Sequence, residues 1–186
     1  MSPQPVDTRR FDSKIPSTHR RSAVLVMLYP QGENAFFPLI KRPEYRGAHS
    51  GQIAFPGGKM EITDPDIFFT ALREAEEEVA INPDKVTILG RLTDLYIPTS
   101  NFLVTPVLGF SQEVPDFIPE RREVQRILPT SLKSLFEEPT RQRTQLKLNP
   151  SITLDTPFFE IDREMVWGAT AMILSEFIEL LKAKEE

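Results

Sequence analysis

Phe55-Pro56-Gly57-Gly58-Lys59-Met60-Glu61-Ile62-Thr63-Asp64-Pro65-Asp66-Ile67-Phe68-Phe69-Thr70-Ala71-Leu72-Arg73-Glu74-Ala75-Glu76-Glu77-Glu78-Val79-Ala80-Ile81 is the stretch on which the fold turns. It opens on a glycine pair and closes on a run of carboxylates. Phe68, Ala71, Leu72, Ala75 and Val79 recur at helical spacing, which predicts a helix over about 65–80 with those side chains buried. Asp64 is the expected N-cap and Pro65 the first helical residue, where a missing N–H costs nothing. Glu74 precedes Glu77 by three residues and Glu78 by four, so these three carboxylates share a face, while Glu76 points elsewhere. Like charges held together repel, most of all where water is excluded. A bound cation turns that cost into binding energy, and oxygen-rich sites select hard cations such as Mg²⁺ or Mn²⁺. An acidic run alone reads as a solvated face; its coupling to a glycine loop sets this one apart.

Outward from the motif, the chain alternates strands and helices. Ala23 to Tyr29 is a continuous apolar run and reads as a buried central strand. Pro30 to Asn34 has turn chemistry, and Ala35 to Lys41 returns as the second strand of a hairpin. Residues 43–51 form a loop, and Gln52 to Phe55 a short strand. Beyond the helix, Val86 to Leu95 and Phe102 to Phe110 read as strands separated by a Pro98–Asn101 loop. Pro115 to Arg122 is a polar loop, and Glu123 to Leu128 a strand. Pro129-Thr130-Ser131 then starts a short helix with Leu132, Leu135 and Phe136 on one face. Residues 140–148 and 152–161 pair as strands. Gly168 to Lys182 closes the chain as a helix with Ile173, Phe177, Leu180 and Leu181 in its core stripe. A mixed sheet with helices on both faces, an α/β fold, satisfies these elements. Residues 1–20 lack periodicity and read as an N-terminal arm, mobile or loosely draped, before one domain over 21–186.

Composition narrows the function. The chain has 186 residues and a net charge of −5, which argues against a general nucleic-acid binder. It has no cysteine, so disulfide and thiol chemistry are excluded, in keeping with a cytoplasmic setting. The start of the chain carries Arg9, Arg10, Arg20 and Arg21 but no apolar segment of a secretory signal, and no apolar run approaches a membrane span. Lys41, Arg42, Arg46 and Lys59 flank the glycines and offer a local basic patch for a phosphorylated ligand. His49 lies in the same loop, as a substrate contact or base, or as a plain structural histidine.

The motif resembles the Nudix box, G-x5-E-x7-R-E-U-x-E-E-x-G-U with U aliphatic. Gly58, Arg73, Glu74, Ala75, Glu77, Glu78 and Ile81 fit it. Ala80 stands where the box has Gly. The spacing from Gly58 to Arg73 is one residue longer than usual, and Asp64 is the acid nearest the place of the first Glu. Upstream, Leu39 to Gly58 is similar to the coenzyme A pyrophosphatase signature, L-L-T-x-R-[SA]-x3-R-x3-G-x3-F-P-G-G. Arg42, Gly51, Phe55, Pro56, Gly57 and Gly58 match in register, whereas Gly47 takes the second Arg position and Arg46 lies one place early. Leu92 to Val107 and Trp167 to Leu174 are similar to later family segments.

This resemblance implies a Nudix-type α/β/α sandwich that hydrolyses the diphosphate of coenzyme A or its thioesters. The metal ligands would be Glu74, Glu77 and Glu78, with a backbone carbonyl of the Gly57–Gly58 pair. Glu77, Glu78 and Arg73 would be catalytic, Arg73 orienting a ligand carboxylate through paired hydrogen bonds. Arg42, Arg46, Gly51, Phe55, Gly57 and Gly58 would meet the small-molecule nucleotide. The general base stays open between a metal-bound hydroxide and a carboxylate such as Glu77. The alternatives are hydrolysis of another nucleoside diphosphate derivative such as ADP-ribose, and a silent nucleotide-binding module. A pure binder has no need for three clustered like charges, which weighs against the last. The oligomeric state stays open, with a homodimer among the alternatives.

Overall fold

The structure is a computed structural model that describes residues 15–44, 50–137, 140–149 and 152–183, with only the backbone of 146–149 and 152–154. Most of the expected arm (1–14) and the 45–49 part of the loop lie outside the described residues.

The central strand β1 (Arg20–Gln31) starts earlier than expected, taking Arg20 from the arm. Its middle, Ala23 to Tyr29, is continuously apolar because both of its faces are covered. Ala23, Leu25 and Met27 pack in one cluster and Val26 in another, all at 0% exposure. Leu25, Met27 and Val26 each contribute about 1.5–3 kcal/mol relative to exposure. A two-residue turn with Gly32 at φ +62° leads into β2 (Asn34–Lys41), paired antiparallel to β1. β3 (Ile53–Ala54) pairs with β2, and β4 (Gly57–Lys59) pairs with β1 through Val24↔Gly57 and Ala23↔Gly58. The glycine pair is thus a strand rather than a loop.

Helix α1 spans Ile67–Val79. Its N-cap is Asp66, which accepts from the Phe69 N–H at 2.8 Å, so neither Asp64 nor Pro65 has the expected place. Ile67, Ala71, Ala75 and Val79 form the buried stripe, and Phe68 and Leu72 pack only partly against it. The helix ends at Ala80 in the left-handed region, φ +59°, its N–H donating to the Glu76 carbonyl. A residue with a Cβ is strained there, and glycine is not. Ala80→Gly is expected to raise stability by about 0.5–1 kcal/mol, read as a higher urea midpoint. A lower midpoint would mean that the backbone freedom gained on unfolding outweighs the relieved strain.

After a 3₁₀ turn at Pro83–Lys85 the expected single strand is two, β5 (Thr87–Arg91) and β6 (Leu95–Ile97), both antiparallel to β7 (Phe102–Phe110). β7 runs parallel to β1, which makes the sheet mixed. The expected helix from Pro129 is a strand instead: β8 (Arg126–Ser131) pairs with β2 and sets Pro129 opposite Pro38. Two prolines can face each other where neither N–H is needed by the ladder. Only a 3₁₀ turn, Lys133–Phe136, follows. β9 (Arg141–Asn149), β10 (Ile152–Ile161) and β11 (Glu164–Val166) form a separate antiparallel sheet.

Helix α2 (Gly168–Lys182) buries Ile173 and Phe177 as expected, joined by Leu174 and Ile178, but leaves Leu180 43% exposed. Its buried residues share a cluster with Val26, Phe37 and Leu39, whereas those of α1 share one with Ala23, Leu25 and Met27. The larger sheet therefore lies between the two helices, in an α/β/α arrangement. Among the described residues no helix is long and apolar enough to cross a membrane.

Candidate functional site

Strand β4 and helix α1 meet at the glycine pair. A Cβ on Gly57 would overlap the Ala23 carbonyl and Val24, and one on Gly58 would overlap the Glu74 carboxylate. Close approach of backbone requires glycine at 57, whereas a Cβ at 58 would displace the Glu74 carboxylate. The Gly57 N–H donates to Glu78 Oε2 at 2.8 Å, and Arg42 Nη2 donates to the Gly57 carbonyl at 3.3 Å. The same Arg42 nitrogen lies 3.6 Å from Glu78 Oε1. Glu78 is 1% exposed. Burial pushes its carboxyl up to about 7, against the opposing pull of Arg42 and the Gly57 N–H. Burial also raises the Glu74 carboxyl.

Arg73 organises the rest. Its Nε and Nη2 donate to the two oxygens of Asp64 at 3.0 Å each, a bidentate pair with a side chain that has no exposed surface. Arg73 also donates to Glu74 at 2.9 Å, to Glu77 at 3.0 Å and to the Lys59 carbonyl at 3.2 Å. Asp64 further accepts from the Thr70 hydroxyl and the Glu61 N–H, each at 2.9 Å. The Arg73 hydrogen bonds, first among these, hold the Asp64 carboxyl down at about 2.

The expected set is therefore brought together only in part. Glu74 and Glu78 face the glycines, while Glu77 is 58% exposed and paired with Arg73. As placed, no three carboxylates among the described residues converge closely enough to grip one ion. Glu76 is exposed, as its helical phase predicts. Phe55, expected at the substrate, is a core residue: it is 1% exposed and its ring lies 5.9 Å from that of Phe37. Gly51 has φ +65° and its N–H donates to the Pro43 carbonyl, so its requirement is a turn. Arg46 and His49 lie outside the described residues.

Sequence reading reaches one further residue of this site only in part and misses another. Asp64 is both the expected helix cap and the acid nearest the place of the box's first Glu, but its service to Arg73 shows only once the longer spacing is folded. Glu123 had no signal at all. It lies in the irregular segment before β8, and its charge reaches Glu74 and Glu78, raising both. That segment is tied to the end of α1 by the Ile118 N–H to the Val79 carbonyl at 3.2 Å and the Glu120 N–H to the Glu78 carbonyl at 2.9 Å.

Fold and site together define a class: an α/β protein with a polar centre of acidic helix and glycine strand, suited to cation-bound anions. Residues 18–141 match the NUDIX domain. The Nudix hydrolase NudL of Yersinia pestis is 33% identical over 179 residues, covering 92% of this chain and 85% of the relative. The fold matches RenU, a Nudix hydrolase from M. smegmatis, with a TM-score of 0.60 at 14% identity, over 89% of this chain and 87% of that one. It matches a C. elegans Ap4A hydrolase binary complex with a TM-score of 0.60 at 16% identity, over 88% and 98%. The chain belongs to the Nudix family, and it is a pyrophosphohydrolase of that family acting on nucleoside diphosphate derivatives.

Proposed function

We propose that this chain hydrolyses the diphosphate of coenzyme A or its derivatives, giving 3′,5′-ADP and 4′-phosphopantetheine or the acyl form. The observation that carries the reading is the meeting of the upstream signature with the acidic helix. Arg42, from the signature, contacts both Gly57 and Glu78, so the two motifs form one centre. Glu74, Glu77 and Glu78 would hold Mg²⁺ or Mn²⁺; the donor chemistry fits, all oxygen with a buried Glu78 whose charge is only partly offset, and Glu77 would turn from its pair with Arg73 to complete the set. When bound, such a cation neutralises phosphate oxygens and lowers the pKa of water. The chain's own residues do the remaining work. Gly57 and Gly58 present backbone without side chains, so a phosphate can approach closely. Arg73, fixed by Asp64, sets the positions of Glu74 and Glu77.

The test is a substrate panel of coenzyme A, its 3′-dephospho form and ADP-ribose, with products identified by mass. Coenzyme A is expected to exceed ADP-ribose in kcat/KM by at least about tenfold, roughly 1.4 kcal/mol. A preference for ADP-ribose would overturn the substrate assignment and keep the diphosphate chemistry. Sequence alone sets Arg42 to read the ligand. Its contacts to Gly57 and Glu78 now give a different expectation: Arg42→Ala lowers kcat/KM on both substrates alike. A selective loss on coenzyme A would restore the ligand-reading role.

A further inference from the structure

A coenzyme A hydrolase has to read the phosphate it does not cleave, and Arg42 is committed to Gly57 and Glu78. Resting on the coenzyme A reading, we propose that Lys41 and Arg126 bind this phosphate monoester, in exchange for the Glu164 carboxylate. The two cations face each other across the ladder between β2 and β8, in the register Lys41↔Arg126. Like charges directly opposite are destabilising. Here one carboxylate oxygen offsets both: Glu164 Oε1 accepts from Lys41 Nζ at 2.8 Å and from Arg126 Nη2 at 3.1 Å. Arg126 Nη1 donates to Asp162 Oδ2 at 2.8 Å. Arg163, between these acids in sequence, is exposed and has no ion-pair partner among the described residues. Positive charge is therefore in excess at this corner of a chain whose net charge is −5.

Both acids come from the tight turn between β10 and β11, where Asp162 and Arg163 have φ +51° and +63°. Such turns favour glycine, and other residues persist there where neighbouring contacts hold them. The contacts here are the ion pairs to Arg126 and Lys41. Releasing the acids relaxes the turn, which offsets part of the lost pairing. Glu164 meets two cations with one oxygen. A phosphate monoester brings three oxygens and a charge of about −1.5 to −2, and a guanidinium grips two oxygens at once. The position suits a ligand already at the glycine pair. Leu39 packs in the cluster of α2 and Ile40 in that of α1, so the alternation of β2 sets Lys41 on the α2 face and Arg42 on the α1 face. Their Cα atoms are about 3.8 Å apart, and the strand ends at Lys41. The Gln125 N–H, donating to the Lys41 carbonyl at 2.8 Å, fixes Arg126 alongside. A ligand crossing this strand end sets its diphosphate beside Gly57 and a phosphate borne on its ribose beside Lys41.

Calorimetric titration of the full-length protein compares 3′,5′-ADP with 5′-AMP, which differ by this one phosphate. The parent is expected to bind 3′,5′-ADP at least about tenfold more tightly, the scale of one hydrogen bond to a charged group. Lys41→Gln and Arg126→Gln should each remove most of that advantage. Arg143→Gln, which breaks the exposed pair to Asp155 in the neighbouring hairpin, should keep it within about twofold. Glu164→Gln is expected to raise the affinity for 3′,5′-ADP by about threefold or more, because the cations no longer give up a carboxylate. That rise has the opposite sign to the effect of a merely structural ion pair, so it decides the matter where a cation variant does not fold. Equal affinity of the parent for both nucleotides overturns the assignment. So does an advantage that survives in both cation variants, or an unchanged or lower affinity in Glu164→Gln. The substrate panel separates this outcome from the coenzyme A reading. Preferred cleavage of ADP-ribose with the 3′,5′-ADP advantage intact supports the phosphate site and overturns coenzyme A as substrate. Preferred cleavage of coenzyme A with equal binding of the two nucleotides overturns the site and keeps the substrate.

Discussion

Glu78→Gln is expected to lower kcat by about 10²-fold or more, the scale of one lost strong electrostatic contribution at a charged reaction centre. Glutamine keeps the shape, and its carbonyl oxygen can accept the Gly57 N–H as Glu78 Oε2 does at 2.8 Å. What it removes is a buried negative charge facing the glycine pair. Glu76→Gln, the same chemical change two residues away on the exposed side, is expected to leave kcat within a few-fold of the parent. The pair of variants therefore separates position from composition. Stability is expected to move the other way. In metal-free protein the folded-state carboxyl of Glu78 titrates at about 7 rather than at the ordinary 4.5, so the folded form holds its proton more tightly than the unfolded chain. The parent then loses stability as pH rises from about 4.5 through about 7, and Glu78→Gln escapes that part of the loss. Urea midpoints in EDTA at pH 5 and pH 8 check it. Undiminished turnover, or full activity of the parent in excess EDTA, would sink the cation assignment.

How much of this could be read from the chain follows from the range of the forces involved. Helix α1 was legible because the spacing of Ala71, Ala75 and Val79 is a local property. So was the phase that separates Glu76 from Glu74 and Glu78. β7 was legible because nine mostly apolar residues follow a Pro–Asn turn. What local pattern could not give was pairing. Pro129 looked like a helix start because proline favours that place, but facing Pro38 across a ladder satisfies it equally well. Phe55 carries the resemblance and reads in sequence as a ligand contact, whereas its packing beside Phe37 makes it core. The break between β5 and β6 depends on Leu92 turning inward, its N–H donating to the Pro106 carbonyl at 2.9 Å. Glu123 reaches the site across more than forty residues of sequence from Glu78, through backbone hydrogen bonds that any residue type can make, so no composition signal marks it.

Asp64→Asn is expected to destabilise the protein by about 3 kcal/mol at pH 7, the lower end of the cost of removing one partner of a buried ion pair. The substitution keeps the side chain's volume and one acceptor oxygen, so the Thr70 and Glu61 bonds can persist. Arg73 loses the counter-charge to both Nε and Nη2 and remains a guanidinium with little access to water, 16% exposed. Glu74 and Glu77 lie within its reach, but they belong to the face that the cation would need. Arg73 drawn towards them competes with that role, so kcat should fall together with stability, and Mn²⁺ affinity with both. The pH dependence identifies the cause. Asp64 titrates at about 2 when folded against an ordinary 3.8, so its contribution is complete above the unfolded value and is lost as pH falls through about 2. The gap between parent and Asp64→Asn should therefore be full at pH 7 and narrower at pH 3 in urea titrations. A gap below about 1 kcal/mol at pH 7, no larger than a surface ion pair provides, would show that Glu74 and Glu77 alone suffice to hold Arg73. The longer spacing between Gly58 and Arg73 would then have no part in building the site.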